Sequence, residues 1–69
     1  MNEYNSKLYT QKESIINGHH VWHYLISTPI GDYHIIQYEE LDMTISEKIV
    51  TTNTEAEQIY KRRVRYLSR

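Results

Sequence analysis

Three histidines fall within five positions, His19, His20 and His23, and a fourth follows at His34. Imidazoles this close together invite metal ligation or proton transfer. Their setting, NGHHVWHYLI, is rich in β-branched and aromatic residues and begins with a turn dipeptide, so it reads as a strand. In a strand His19 and His23 share a face but lie roughly 13 Å apart along the chain, and His20 points the other way. Zinc ligands must surround one ion, so this spacing does not close a metal site. His34 has no His or carboxylate at a neighbouring position. The histidines therefore read as strand-surface residues, and neither a metal nor another cofactor is expected.

The remaining chemistry is equally thin. There is no cysteine, no Gly-rich turn to present a nucleophile, and no phosphate-cradling loop; the two glycines, Gly18 and Gly31, do not open a helix. The adjacent acids Glu39 and Glu40 point to opposite sides of a strand and cannot share a substrate. A chain this small seldom encloses a pocket deep enough to exclude water from a reaction. The expectation is a binding protein, not an enzyme.

The elements that would carry these residues are legible from turn chemistry and period. Residues 4–16 read as a first, mostly polar strand. Asn17-Gly18 is a type I′ hairpin signal, because that turn requires positive φ at both positions. A second strand covers 19–27, a turn Pro29-Ile30-Gly31-Asp32, a third strand 33–40, a connection at Leu41-Asp42, and a fourth strand 43–51. Then the period changes. Asn53 or Thr54 can cap a helix running TEAEQIYKRRVRYL, in which Ala56, Ile59, Tyr60, Val64 and Leu67 recur at spacings of three and four. The 69 residues make one domain of the α+β class, a four-stranded antiparallel β-meander with one C-terminal helix packed on one face.

With Asn17-Gly18 in the turn, Ile16 pairs with His19, Ser14 with Val21 and Glu13 with Trp22. One face then gathers Tyr9, Ile15, Trp22, Tyr24 and Ile26, continued by Ile36 and Tyr38; this is the expected core face, covered by the helix. The other face carries Lys12, Ser14, His19 and His23, with Val21, Leu25 and Ile35 as an apolar strip that can form a homodimer. A slip of one residue would exchange the faces.

The net charge of −1 conceals a division. All nine acids lie in residues 1–60 against three lysines, a balance of −6, whereas KRRVRYLSR at 61–69 carries +5. Cations also gather at helix C-termini because the macrodipole favours them there. No apolar run approaches the roughly 20 residues of a membrane span, and the N-terminus lacks the apolar core of a signal peptide, so a cytoplasmic protein is expected. Two binding modes fit this charge pattern. In one, the first strand lies at a sheet edge and engages a partner protein through Glu13, Ser14 and Ile15, with Glu39, Glu40, Asp42 and Glu47 extending a negative surface. In the other, Lys61, Arg62, Arg63 and Arg65 contact nucleic acid, with Tyr60 and Tyr66 available to stack.

The stretch Glu13-Ser14-Ile15, in QKESII, resembles the Glu-Ser-Ile strand of phage-encoded uracil-DNA glycosylase inhibitors. In that family the Glu and Ser engage the enzyme's DNA-contacting loops. The segment 41–64 is similar to the strand-and-helix end of a second, unrelated inhibitor type from small phages, with Glu47 near that type's acidic contact. The first family is longer and flanks its motif with helices; the second has an aromatic plug where this chain has Ser46. The resemblance implies a non-enzymatic DNA mimic, encoded by a phage or mobile element, that blocks a host nucleic-acid-processing enzyme. Uracil-DNA glycosylase is the most specific target it suggests, and restriction or CRISPR nucleases are targets of the same logic.

Overall fold

The computed structural model describes residues 6–69. The strands β1 (Lys7–Ile16), β2 (His19–Thr28), β3 (Gly31–Glu39) and β4 (Ile45–Val50) are followed by helix α1 (Asn53–Leu67). The strands form one antiparallel sheet in the order β1-β2-β3-β4, an α+β meander with β1 and β4 at its edges. The part of the expected first strand at residues 4–5 lies outside the described residues. No helix among the described residues is long and apolar enough to cross a membrane.

Each turn has a local cause. Asn17 and Gly18 adopt φ of 52° and 82°, the positive values that a type I′ turn demands. The first hairpin register matches the turn chemistry: Ile16 faces His19, Ser14 faces Val21 and Glu13 faces Trp22. Asn17 also donates its side-chain amide to the Leu67 carbonyl at 2.8 Å, so the turn occupies one of the acceptors left open at the end of α1. Between β3 and β4 the chain turns at residues 40–44, where Met43 takes a φ of 72° and Asp42 accepts hydrogen bonds from the Thr44 hydroxyl and backbone. Thr52 caps α1 with its hydroxyl on the Glu55 N–H, one residue before the expected cap; the T-x-x-E spacing is a capping box.

The core lies between α1 and one sheet face. Val21 and Ile36 are fully buried, with Tyr38 beside them, and Ala56, Tyr60 and Leu67 come down from the helix. Ile59 and Val64 flank that stripe, as the helical spacing requires.

The faces differ from the expectation on β1 and β2. The second hairpin turns tightly on Pro29-Ile30, so Gly31 faces Thr28, Ile36 faces His23 and Tyr38 faces Val21. Ile36 and Tyr38 are core residues, but they share their side with Val21 and His23, not with Trp22, Tyr24 and Ile26. A bulge between Thr10 and Lys12 then shifts the parity within β1. Tyr9 falls on the helix side opposite Leu25, whereas Ile15 falls on the uncovered side and is 62% exposed. The expected strip of Val21, Leu25 and Ile35 is divided as well, since Ile35 pairs with Tyr24 on the uncovered side.

Candidate interaction face

Alternation along the strands assigns every strand residue to one of two faces. The face away from α1 carries Leu8 and Ile15 from β1, Trp22, Tyr24 and Ile26 from β2, Tyr33 and Ile35 from β3, and Ile45 and Ile49 from β4. The β2 and β3 side chains shelter one another and are half-buried; Leu8, Ile15, Ile45 and Ile49 are more than half exposed. At the Pro29-Ile30 end the surface opens a hollow of about 740 Å³ lined by Ile30, Tyr33 and Ile49 among others. Exposed apolar patches larger than a few hundred Å² are a common feature of interaction sites, which makes this face the candidate.

Its charges have one sign. Glu13, Glu39 and Glu47 stand on this face, and none of its positions is Lys or Arg. The eight cations are elsewhere: Lys7, Lys12 and Lys48 project on the helix side of the strands, and Lys61, Arg62, Arg63, Arg65 and Arg69 belong to α1 or follow it. Two of the three carboxylates are held in place. The Trp22 indole N–H donates to Glu13 at 3.2 Å. Glu39 accepts from the His20 backbone N–H at 2.8 Å and meets His20 Nδ1 at 3.0 Å. The backbone hydrogen bond, then the side-chain one, lowers the Glu39 pKa below its ordinary carboxylate value. His20 in turn stacks flat on Trp22, with ring centroids 5.1 Å apart. These contacts fix a row of Glu13, Trp22, His20 and Glu39 across three strands.

The residues expected to contact a partner are therefore divided by the fold. Glu13, Ile15, Glu39 and Glu47 share the open face. Ser14 does not point outward with Glu13; it lies on the helix side, where its hydroxyl and that of Tyr60 share a hydrogen bond of 2.5 Å. Glu40 turns to the helix and pairs with Arg63, and Asp42 is folded onto Thr44, whose bonds lower its pKa. On α1, Lys61, Arg62 and Arg65 are exposed, whereas Arg63 is half-buried, stacked on Tyr38 at 4.2 Å and Tyr66 at 4.5 Å.

The histidines are the largest correction. His23 and His34, expected on the strand surface, are 2% and 8% exposed beneath α1. His34 does have a partner: His23 Nε2 and its Nδ1 are 3.0 Å apart, close enough to share one proton. Burial, then the positive potential of His34 and Lys12, lowers the His23 pKa, with Glu57 opposing. The two rings are diagonal neighbours, because His23 faces Ile36 and His34 faces Leu25. Placing Pro29-Ile30 as a two-residue turn reveals that proximity from sequence. Among the described residues, no three His, Asp or Glu side chains converge as a metal would require. The His23 ring lies 6.5 Å from the Tyr60 ring, so the pair is packed into the contact between sheet and helix.

Compared with models of known protein families, with curated proteins and with solved structures, the chain matches none.

Proposed function

We propose that this protein is a small, non-enzymatic protein-binding inhibitor whose open sheet face docks on a cationic surface of a nucleic-acid-processing enzyme. The observation that carries this reading is the composition of that face: apolar and aromatic at its centre, with Glu13, Glu39 and Glu47 and no Lys or Arg. Surfaces that bind DNA are basic and often present apolar or aromatic groups to bases, so a carboxylate-bearing apolar face complements them. The same composition argues against a homodimer through this face, since two copies would set carboxylates against carboxylates with no cation to offset them. The resemblance through Glu13-Ser14-Ile15 supports uracil-DNA glycosylase as the first enzyme to test, with Glu13 and Ile15 as contacts and Ser14 as a support beneath them. Restriction and CRISPR nucleases are the next targets.

The test is stoichiometric inhibition in a uracil-excision assay, followed by nuclease assays. Wild type should inhibit one of these enzymes at a one-to-one ratio, and Glu13→Ala should weaken that inhibition. Ile35→Arg with Ile49→Arg should abolish it while leaving the circular dichroism unchanged. An inert wild type across the panel rejects the inhibitor reading. The contrasting reading, a nucleic-acid-binding protein using exposed Lys61, Arg62 and Arg65, predicts salt-sensitive DNA binding in place of inhibition.

A further inference from the structure

A second surface lies on the opposite side of the sheet and owes nothing to the proposed docking face. Ile59, Arg62, Arg63 and Tyr66 recur at spacings of three, four and seven along α1, a stripe beside the one that packs into the core. This stripe overhangs Tyr38 and Lys48, which project on the helix side of β3 and β4. Lys48 is the diagonal neighbour of Tyr38, and the residue directly opposite Tyr38 is the short Ser46. The result is a groove of about 370 Å³ lined by Tyr38, Lys48, Ile59, Arg62, Arg63 and Tyr66.

Three cations line this groove, and one carboxylate answers them. Glu40 pairs with Arg63; among the described residues Lys48 and Arg62 take part in no ion pair. Arg63 is pinned between the Tyr38 and Tyr66 rings, and its buried Nε has no hydrogen-bond partner among the described residues. Like charges gathered around one groove repel, and an anion placed between them offsets that repulsion. The Ile59 side chain and the partly exposed Tyr66 ring add a surface suited to a flat apolar group. The volume is at the small end of ligand sites, enough for one nucleotide unit rather than a dinucleotide.

We propose that this groove binds a nucleoside monophosphate group, with the phosphate between Lys48 and Arg62 and the base against Ile59 and Tyr66. The group can be a free nucleotide or one unit of a single strand. Arg62 is shared with a patch of Gln58, Lys61 and Arg65 on the outer side of α1, where the phosphates of a longer strand would continue.

Amide NMR titrations of the full chain with inorganic phosphate, AMP and a ten-residue oligothymidylate test this. AMP should shift amides of 59–66 and of Tyr38 and Lys48, leave the open face unmoved, and bind more tightly than inorganic phosphate. Lys48→Glu and Arg62→Glu should each weaken AMP at least tenfold. Lys61→Glu with Arg65→Glu should leave AMP binding unchanged; a strand as the natural source predicts that this pair weakens the oligonucleotide severalfold, and a free nucleotide predicts that it does not. Shifts absent with both AMP and the oligonucleotide, shifts centred elsewhere, or AMP affinity unchanged in Lys48→Glu and Arg62→Glu overturn the proposal. Stronger binding of a polyglutamate peptide than of AMP or the oligonucleotide would assign the groove to carboxylates and overturn it too. None of these outcomes touches the inhibitor reading, which is read out by enzyme inhibition and by open-face variants.

Discussion

The two faces of the sheet are made by the same four strands, and each alternates large apolar residues, yet they have different fates. The covered face holds Val21, Ile36 and Tyr38 around a pair of histidines and receives Ala56, Tyr60 and Leu67. The open face holds Trp22, Tyr24 and Tyr33, and no other element among the described residues covers it. Apolar content alone does not decide which face becomes core. On the helix side several buried polar groups are paired: His23 with His34, Ser14 with Tyr60, Glu40 with Arg63. The open face bonds Glu13 to Trp22 and Glu39 to His20 within the sheet and leaves apolar side chains half-buried or exposed. The covered side thus carries the core, and the proposed docking surface lies on the other side of the same layer.

That division can be broken most forcefully at neighbouring residues of β3. Ile36→Ala, on the covered side, should cost about 2–5 kcal/mol through the cavity it leaves. Ile35→Ala, on the open side, should cost under about 1 kcal/mol, because half-exposed surface leaves no sealed void. Urea denaturation of the two variants decides it, and equal losses would mean that both faces are core.

A smaller effect is expected at the contact between sheet and helix. Tyr60→Phe keeps the ring and removes the hydroxyl bonded to Ser14, so it should destabilise by about 1 kcal/mol. Ser14→Ala should cost a similar amount, and the double variant should cost less than the two together. Strict additivity in this cycle would show that the bond does not couple them.

His23 makes stability depend on pH on the covered side. The unfolded chain protonates His23 near its ordinary value of 6.5, whereas the folded chain resists protonation until lower pH. Unfolded molecules therefore bind more protons in that interval, and stability falls as pH drops below about 6.5, levelling off below the folded value. Replacing both rings, His23→Leu with His34→Leu, should flatten this slope in thermal melts between pH 7 and pH 5. An unchanged slope would assign the dependence to other groups.

The smallest effect sits on the open side. Glu39 has a lowered pKa from its His20 contacts, so its contribution is present above the unfolded carboxylate value and is lost as pH falls through the folded one. His20→Ala removes the ring contact but leaves the backbone donor, and NMR titration should show the Glu39 pKa moving only partway back. A complete return to the ordinary value would mean that the ring, not the backbone, holds the carboxylate.

Local chemistry was readable in the sequence and long-range parity was not. Asn17-Gly18 sets positive φ within two residues, so the first hairpin and its register follow directly. The stripe Ala56, Tyr60, Leu67 follows from helical period in the same way. The choice of face depends on counting residues across turns, and Pro29-Ile30-Gly31-Asp32 admits more than one count. The bulge beside Gln11, on an edge strand where bulges are common, changes the count again. With parity uncertain, His23 and His34 looked exposed, and Ile15, Trp22 and Tyr24 looked like core. Of the candidate contacts, Glu13, Ile15, Glu39 and Glu47 come together because their strand positions alternate onto one side. Glu40 is drawn off by Arg63, a partner that only the folded chain supplies, whereas Asp42 bonds Thr44 two residues on, a local turn contact.

The most direct test of the open face as the working surface is a pull-down from bacterial lysate, identified by mass spectrometry and run in parallel on three proteins. They are the wild type, Ile35→Arg with Ile49→Arg, and Lys61→Glu with Arg62→Glu and Arg65→Glu. The wild type and the helix variant should both retain the same nucleic-acid-processing enzyme, and the open-face variant, folded by circular dichroism, should retain none. Retention by the open-face variant together with loss in the helix variant would place the working surface on α1 and contradict the account.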